Sequence, residues 1–111
     1  MKLIVQRSKN SKVLVDSKIV GKIGKGLVAL VGFTHSDTIE DIKKITKKLV
    51  NLRIFDDENH IMNKSILDVK GEILSVSQFT LYADCKKGNR PSYINSMKAS
   101  DARILYELFN E

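Results

Sequence analysis

The segment Ser77-Gln78-Phe79-Thr80 places two hydroxyls, an amide and an aromatic ring in four consecutive positions. The residues before it are largely apolar and predict a buried strand. Buried polar groups need hydrogen-bond partners, since an unpaired one costs about 1–3 kcal/mol. One interpretation is a strand that turns towards solvent with Phe79 in the core. The other is a pocket in which Phe79 stacks on a base while its polar neighbours form hydrogen bonds.

Thr80 can act as a nucleophile only if a base lies within hydrogen-bond reach of its hydroxyl. The two histidines, His35 and His60, both fall in segments that predict polar turns. Asp84 is the nearest carboxylate that follows Thr80 in the sequence. Apart from Asp84, no group near Thr80 in the sequence could activate its hydroxyl.

Three other groups of residues have simpler explanations. The spacing in Asp56–His60 fits neither a calcium loop nor a zinc motif, so an acidic turn is favoured. Cys85 is the single cysteine and has no assigned base. Gly24-Lys25-Gly26 lacks the continuation of a phosphate-binding loop and predicts a hairpin turn. We therefore expect neither a metal nor a cofactor.

The charge balance favours a polyanionic partner, because 19 basic residues against 13 acidic ones give a net charge of +6. Lys86, Lys87 and Arg90 flank the segment around Phe79 and are candidate phosphate contacts. A further group of lysines shares one face of a predicted helix. A solvated face is the more common explanation for such a group, and an RNA-contacting patch is the alternative: Lys43, Lys44, Lys47 and Lys48.

Short strands with tight turns are predicted for the first third of the chain. The last of them is apolar almost throughout, which is typical of a strand covered on both faces. The predicted strands are Leu3–Val5, Lys12–Asp16, Ile19–Gly24 and Leu27–Phe33.

A long amphipathic helix follows. Asp37 and Glu40 have the spacing of a capping box. Apolar residues then recur every three or four positions and form one stripe: Ile39, Ile42, Ile45, Leu49 and Leu52.

The second half of the chain contains a strand, a loop and a helix. Arg53–Phe55 predicts a brief return to extended chain, and Met62–Leu67 predicts a short helix or irregular loop. A strand is expected over Glu72–Tyr82, followed by a loop over Asp84–Ser92. The closing helix is predicted to be capped by Ser100 or Asp101, with an apolar side formed by Ala102, Leu105, Tyr106 and Phe109.

These elements predict one α+β domain over residues 1–111. We expect a twisted, antiparallel-rich sheet or partial β-barrel backed by one long amphipathic helix, with a second helix at the C-terminus. A single cysteine excludes an internal disulfide, and no apolar run has the length of a membrane span or the form of a signal peptide. We therefore expect a cytoplasmic, soluble protein.

The stretch from Val76 to Asp84 resembles the signature strand of D-aminoacyl-tRNA deacylases. Further blocks resemble the family pattern in the same order and with similar spacing, so the resemblance covers essentially the whole chain. These blocks are Gln6-Arg7, Gly21–Leu27, Arg53-Ile54-Phe55, Met62-Asn63 and Gly88–Ser92.

The resemblance implies a cofactor-free homodimer with its active site at the subunit interface. Such an enzyme hydrolyses the ester between a D-amino acid and the terminal ribose of tRNA, and removes glycine mischarged onto alanine tRNA. Ser77, Gln78 and Thr80 would be the catalytic residues. Thr80 as nucleophile and assistance by the ribose 2′-hydroxyl are the two mechanisms, of which we prefer the second. The substrate-binding residues would be Phe79 at the adenosine end, Arg7 in the pocket wall, Met62 and Arg90.

One part of the family pattern is absent from these residues. The family carries a Gly-Pro dipeptide near its C-terminus that excludes L-amino acids, whereas the single proline here, Pro91, belongs to the Arg90-Pro91-Ser92 block. We therefore expect a C-terminally shortened domain with weakened chiral discrimination and open sheet edges that favour pairing with another chain. A shortened member that only binds the 3′ end of tRNA is the alternative function, and a plain interaction protein is the third.

Overall fold

A computed structural model describes residues 1–111, the whole of the sequence. Seven strands, three α-helices and a 3-10 turn follow one another along the chain. They are β1 Lys2–Ser8, β2 Ser11–Val15, β3 Lys18–Ile23, β4 Gly26–Gly32, α1 Ile39–Asn51, β5 Phe55–Asp56, β6 Met62–Lys64, α2 Ile66–Val69, β7 Glu72–Ser77, the 3-10 turn Phe79–Tyr82 and α3 Ala99–Asn110. None of the helices combines the length and the apolar character that crossing a membrane requires.

The strand β4 occupies the centre of a three-stranded sheet with the order β1-β4-β7. Leu27, Ala29 and Val31 are completely buried along β4, as its apolar run predicts. Two further pairs, β2 with β3 and β5 with β6, are antiparallel. The α+β class is therefore confirmed. The sheet remains open and does not close into a barrel, because β1 and β7 are its outer strands.

The chain forms two compact units, each assembled from separate segments. The first unit contains residues 1–4, 30–46 and 76–111. Its buried apolar side chains are Val31, Phe33, Ile42 and Phe109. The second unit contains residues 5–29 and 47–75. Its buried apolar side chains are Ile23, Leu27, Ala29, Leu49, Phe55, Ile66 and Leu74.

The strand predicted over Glu72–Tyr82 is too long, because β7 ends at Ser77 and Phe79–Tyr82 forms the 3-10 turn. The Gln78 N–H still donates to the Val31 carbonyl oxygen at 2.7 Å. Beyond that bond the backbone turns, and the Leu81 N–H donates to the Gln78 carbonyl oxygen at 3.4 Å. The polar residues therefore follow the end of the strand.

The cap of α1 lies one residue later than predicted. Thr38 and Asp41 form the reciprocal pair, since the Thr38 N–H donates to Asp41 Oδ2 at 2.8 Å and the Asp41 N–H donates to Thr38 Oγ1 at 3.4 Å. The Asp37 carboxylate is already engaged by the Met1 amino group at 2.7 Å and by the Thr34 N–H at 2.7 Å.

Ile39, predicted on the apolar stripe of α1, is 51% exposed.

The helix α3 begins at Ala99, so the prediction of Ser100 or Asp101 as its cap is wrong. Lys98 occupies the N-cap without a side-chain bond. Its carbonyl oxygen accepts the N–H groups of Asp101 and Ala102 at 3.0 and 2.9 Å. On the predicted apolar side of this helix, Phe109 is buried.

Candidate functional site

The 3-10 turn that carries Phe79 lies where β7 leaves the sheet. Gly32 of β4 allows this strand to approach the turn closely, since a Cβ at Gly32 would lie 3.0 Å from the Gln78 carbonyl oxygen and 3.1 Å from Leu81 Cβ. The Phe79 side chain is 56% exposed. It is therefore presented to solvent and available to a ligand, which contradicts the interpretation of Phe79 as a core residue.

Tyr93 lies against Phe79, with ring centroids 5.0 Å apart and planes at 65°, an edge-to-face arrangement. The two segments are also joined by Ser96, whose hydroxyl donates to the Phe79 carbonyl oxygen at 3.0 Å.

The loop around Tyr93 is held by residues that follow β4. The Thr34 hydroxyl donates to the Asn95 carbonyl oxygen at 2.5 Å, and His35 Nε2 lies 2.6 Å from the Ile94 carbonyl oxygen. His35 is thereby engaged in holding the loop.

A cavity of about 540 Å³ opens beside the aromatic pair. Its lining combines aromatic rings, small side chains, serine hydroxyls and one guanidinium group. The lining residues are Ser77, Phe79, Tyr93, Ser96, Met97, Ala99, Ala102, Arg103 and Tyr106. This lining suits a ligand with a planar ring and a few polar groups, such as a nucleoside.

Thr80 is half-buried, and its hydroxyl accepts a hydrogen bond from the Gln78 side-chain amide. Two of the three groups considered as a base for it, His35 and Asp84, have other partners. His35 contacts the Ile94 carbonyl oxygen, and the Asp84 carboxylate accepts the Lys86 N–H at 2.9 Å. Gln78 therefore orients the Thr80 hydroxyl, and an amide cannot act as a base for it.

The loop predicted over Asp84–Ser92 is closed by two backbone bonds, from Asp84 N–H to Ser92 O at 2.7 Å and from Ser92 N–H to Asp84 O at 2.8 Å. Lys87 and Arg90 are exposed within it and have no ion-pair partner. Lys86 lines a separate cavity of about 400 Å³.

Tyr82 also lines that smaller cavity, and burial raises the pKa of its phenol above the ordinary value, with Asp37 adding to the effect. The Lys2 ammonium lies 4.6 Å from the Tyr82 ring centroid, a cation–π contact. Tyr82 therefore remains a neutral phenol at physiological pH.

Two predicted substrate-binding residues belong to the second unit and not to the cavity beside Phe79. Arg7 lines a different cavity, and its Nη1 lies 3.3 Å from Asp56 Oδ1. Met62 is paired with Asp56 in the β5–β6 ladder and is 61% exposed. The structure thus brings Ser77 and Phe79 together with α3, and it places Arg7 and Met62 in the other unit.

Sequence reasoning missed Tyr93, Ser96 and Met97, because an irregular loop has no periodicity to read. Ala102 and Tyr106 were predicted on the apolar side of α3, yet they line the cavity. Arg103 is the lining residue that the sequence could have indicated, because it is one of only four arginines in a lysine-rich sequence, and arginine is the better ligand for phosphate and carboxylate groups.

The sequence model of a family described as D-Tyr-tRNA(Tyr) deacylase matches residues 4–111. A D-aminoacyl-tRNA deacylase of Bacillus cytotoxicus is 57% identical over 111 residues, which are 100% of this chain and 76% of the relative. A D-aminoacyl-tRNA deacylase of Clostridium novyi is 58% identical over 106 residues, which are 96% of this chain and 71% of the relative.

Two solved structures have similar folds. A c-Myc DNA Unwinding Element Binding Protein gives a TM-score of 0.92 at 37% identity, covering 98% of this chain and 73% of that one. A probable eukaryotic D-amino acid tRNA deacylase gives a TM-score of 0.81 at 21% identity, covering 96% of this chain and 63% of that one. The second likeness concerns the fold alone.

Proposed function

The chain belongs to the D-Tyr-tRNA(Tyr) deacylase family, and on this premise we propose that it hydrolyses the ester of D-aminoacyl-tRNA. The products are free tRNA and a D-amino acid, and the reaction serves quality control in translation. Glycine mischarged onto alanine tRNA is a second substrate, because it forms the same ester and has no side chain in the L configuration to be excluded. We further propose that residues 1–111 act as one deacylase domain, since the family match extends over residues 4–111.

The main support from the structure is the exposed Phe79 ring beside Tyr93 on a cavity of about 540 Å³. In our proposal the terminal adenine stacks on Phe79, because aromatic faces recognise unstacked bases. Ser77 supplies a hydroxyl on the same cavity. The aminoacyl group then lies close to the segment from Ser77 to Thr80.

The proposed reaction is a hydrolysis assisted by the substrate. Water adds to the ester carbonyl carbon, and the ribose 2′-hydroxyl assists the proton transfers. The tetrahedral intermediate collapses, the bond to the ribose 3′-oxygen breaks, and that oxygen takes a proton. The N–H groups of Phe79 and Thr80 open the 3-10 turn, where the first amides of a helix lack partners within it, so they are suited to the oxyanion. Gln78 and Thr80 hold this turn through their side-chain hydrogen bond.

We propose that the active enzyme is a homodimer with the site at the subunit interface. The outer strands β1 and β7 each have one ladder partner in the sheet, and a free strand edge favours pairing with a second chain. In the dimer Arg7 and Met62 complete a substrate pocket, while Lys86, Lys87 and Arg90 contact phosphates of the tRNA. The molar mass in solution, measured by light scattering, tests the dimer directly.

A deacylation assay tests the function. The protein is mixed with D-tyrosyl-tRNA, L-tyrosyl-tRNA and glycyl-tRNA of the alanine acceptor, and release of the amino acid is followed. We expect release from the D-aminoacyl and glycyl substrates above the spontaneous rate, and a reduction of that excess in Phe79→Ala at substrate concentrations below KM. Binding of the 3′ end of tRNA without turnover would favour the function of a binding module and would overturn the proposed hydrolysis.

A further inference from the structure

A second cavity, of about 600 Å³, lies in the second unit, and three of its six lining residues are cationic. They are Arg7, Lys9 and Lys25, and the remaining lining residues are Ser8, Phe55 and Asp56. We call this cavity the basic recess. Its volume exceeds the size of a phosphate group and leaves room for an attached sugar.

The charges of the basic recess are unequally compensated. Its single carboxylate, Asp56, is engaged by Arg7, with 3.3 Å between Nη1 and Oδ1. Lys9 and Lys25 are cationic residues of the recess without an ion-pair partner. Two ammonium groups are therefore left to attract an anion from solution.

The backbone of Lys25 is held in place by β7. The Glu72 N–H donates to the Lys25 carbonyl oxygen at 3.0 Å. The next residue, Gly26, lies so close to β7 that a Cβ there would be 1.7 Å from the Glu72 carbonyl oxygen. Lys25 thus extends from an anchored turn, which reduces the ordering entropy that its binding must overcome.

Lys9 extends from the turn between β1 and β2, and that turn is held as well. The hydroxyls of Ser8 and Ser11 are hydrogen-bonded to each other across it. Ser8 also lines the basic recess, and Phe55, which is 4% exposed, supplies an apolar wall. The recess therefore combines ammonium groups, a hydroxyl and an apolar surface, which are the groups that contact phosphate and sugar in nucleic-acid complexes.

We propose that the basic recess binds the phosphodiester backbone of the tRNA substrate, with Lys9 and Lys25 as the phosphate ligands. This site is additional to the contacts proposed for Lys86, Lys87 and Arg90. The choice of RNA as the anion rests on the proposed function, since that function supplies an RNA substrate. Lys9 and Lys25 determine affinity and its dependence on salt, and they take no part in the ester chemistry.

The test compares Lys9→Gln/Lys25→Gln with Lys47→Gln/Lys48→Gln, two variants that remove the same charge. Lys47 and Lys48 lie in the same unit, on the exposed side of α1. The affinity for uncharged tRNA is measured by filter binding at several salt concentrations. We expect the recess variant to bind at least tenfold more weakly. Its plot of log affinity against log salt should also be shallower, with a slope smaller in magnitude by about 2, one for each phosphate ligand that is removed. The control variant should keep the wild-type slope.

An equal loss in both variants, or no loss in either, would overturn the proposal. Competition by ATP as effective as that by a tRNA acceptor stem would also overturn it, because it would identify a free polyphosphate as the ligand. Hydrolysis of a short substrate, D-tyrosyl-adenosine, is measured alongside, so that a failure of the recess proposal can be told apart from a failure of the proposed function. If the wild type hydrolyses neither D-tyrosyl-adenosine nor D-tyrosyl-tRNA, the hydrolase proposal fails, while the binding comparison with uncharged tRNA still decides the role of the recess.

Discussion

The rings of Phe79 and Tyr93 meet edge to face with their centroids 5.0 Å apart, and both line one cavity. Two partly exposed aromatic rings in contact form a rigid surface, because each limits the rotamers of the other. Such a surface loses little conformational entropy when a ligand stacks on it. The relationship therefore links the 3-10 turn after β7 to the loop before α3 in one proposed binding surface.

Replacing Phe79 by Ala is expected to raise KM for D-aminoacyl-tRNA by about tenfold or more, because stacking of a base on an aromatic ring contributes about 1–3 kcal/mol. Tyr93→Phe is the matched control, since it keeps the ring and should leave KM within about twofold. Steady-state deacylation kinetics measure both variants. A fall in kcat at unchanged KM in Phe79→Ala would contradict the stacking role.

Thr80→Ala is expected to lower kcat by less than about tenfold, since its hydroxyl acts through the hydrogen bond to Gln78. Loss of a true nucleophile would lower turnover by a factor on the order of 10⁴ or more. Gln78→Ala should have a similar effect, and the double variant should be little worse than either single one. Additive losses would show that the two side chains act independently.

The regular elements could be read from the sequence, since the strands β1–β4 and the helix α1 follow periodic apolar patterns that local residues determine. Two features could not be predicted, the cap of α1 and the end of β7, because both depend on residues that are distant in the sequence. Asp37 does not cap α1, since its carboxylate is bound by the amino group of Met1. The end of β7 lies where Gly32 of β4 packs closely against Gln78 and Leu81, which are distant from it in the sequence.

The candidate site could be read only in part. The segment around Phe79 was found from its composition and from the family resemblance. Tyr93 and Met97 were not found, because the loop that carries them is positioned by hydrogen bonds from Thr34 and to the Phe33 carbonyl oxygen. No sequence periodicity reports such contacts.

Gly26→Ala is expected to lower the free energy of unfolding by more than about 3 kcal/mol, because the new Cβ would lie 1.7 Å from the Glu72 backbone oxygen. Gly24→Ala is the control in the same turn, since its Cβ would meet nothing closer than Glu72 Oε1 at 3.9 Å. We expect a change within about 1 kcal/mol for this control. Urea denaturation measures both, and equal effects would contradict the packing argument.

Asp68 makes the stability of α2 depend on pH. The Ser65 N–H, which donates to Asp68 Oδ2 at 2.9 Å, and then the Ser65 hydroxyl lower the pKa of the Asp68 carboxyl. A lowered pKa in the folded state means that the contribution is present above the ordinary pKa and is lost as the pH falls through the folded value. Asp68→Asn should therefore be less stable than the wild type at pH 7, and the difference should shrink below about pH 4. Urea midpoints measured from pH 7 to pH 2 test this, and a constant difference would exclude it.

The loop cations are expected to contribute to RNA affinity and not to the chemistry. Lys87 and Arg90 are exposed and unpaired on the loop that follows the 3-10 turn, and Lys86 lines a cavity beside it. Replacing all three by Gln should weaken tRNA binding and lower the salt slope by about 3, because each phosphate contact contributes about 1. The matched control replaces Lys43, Lys44 and Lys47, which removes the same charge from α1. Hydrolysis of D-tyrosyl-adenosine should be unchanged in both variants, since this substrate has no phosphate to bind. If the control lowers the slope as much as the loop variant does, the loss follows from removal of positive charge in general, and the assignment of phosphate binding to the loop is wrong.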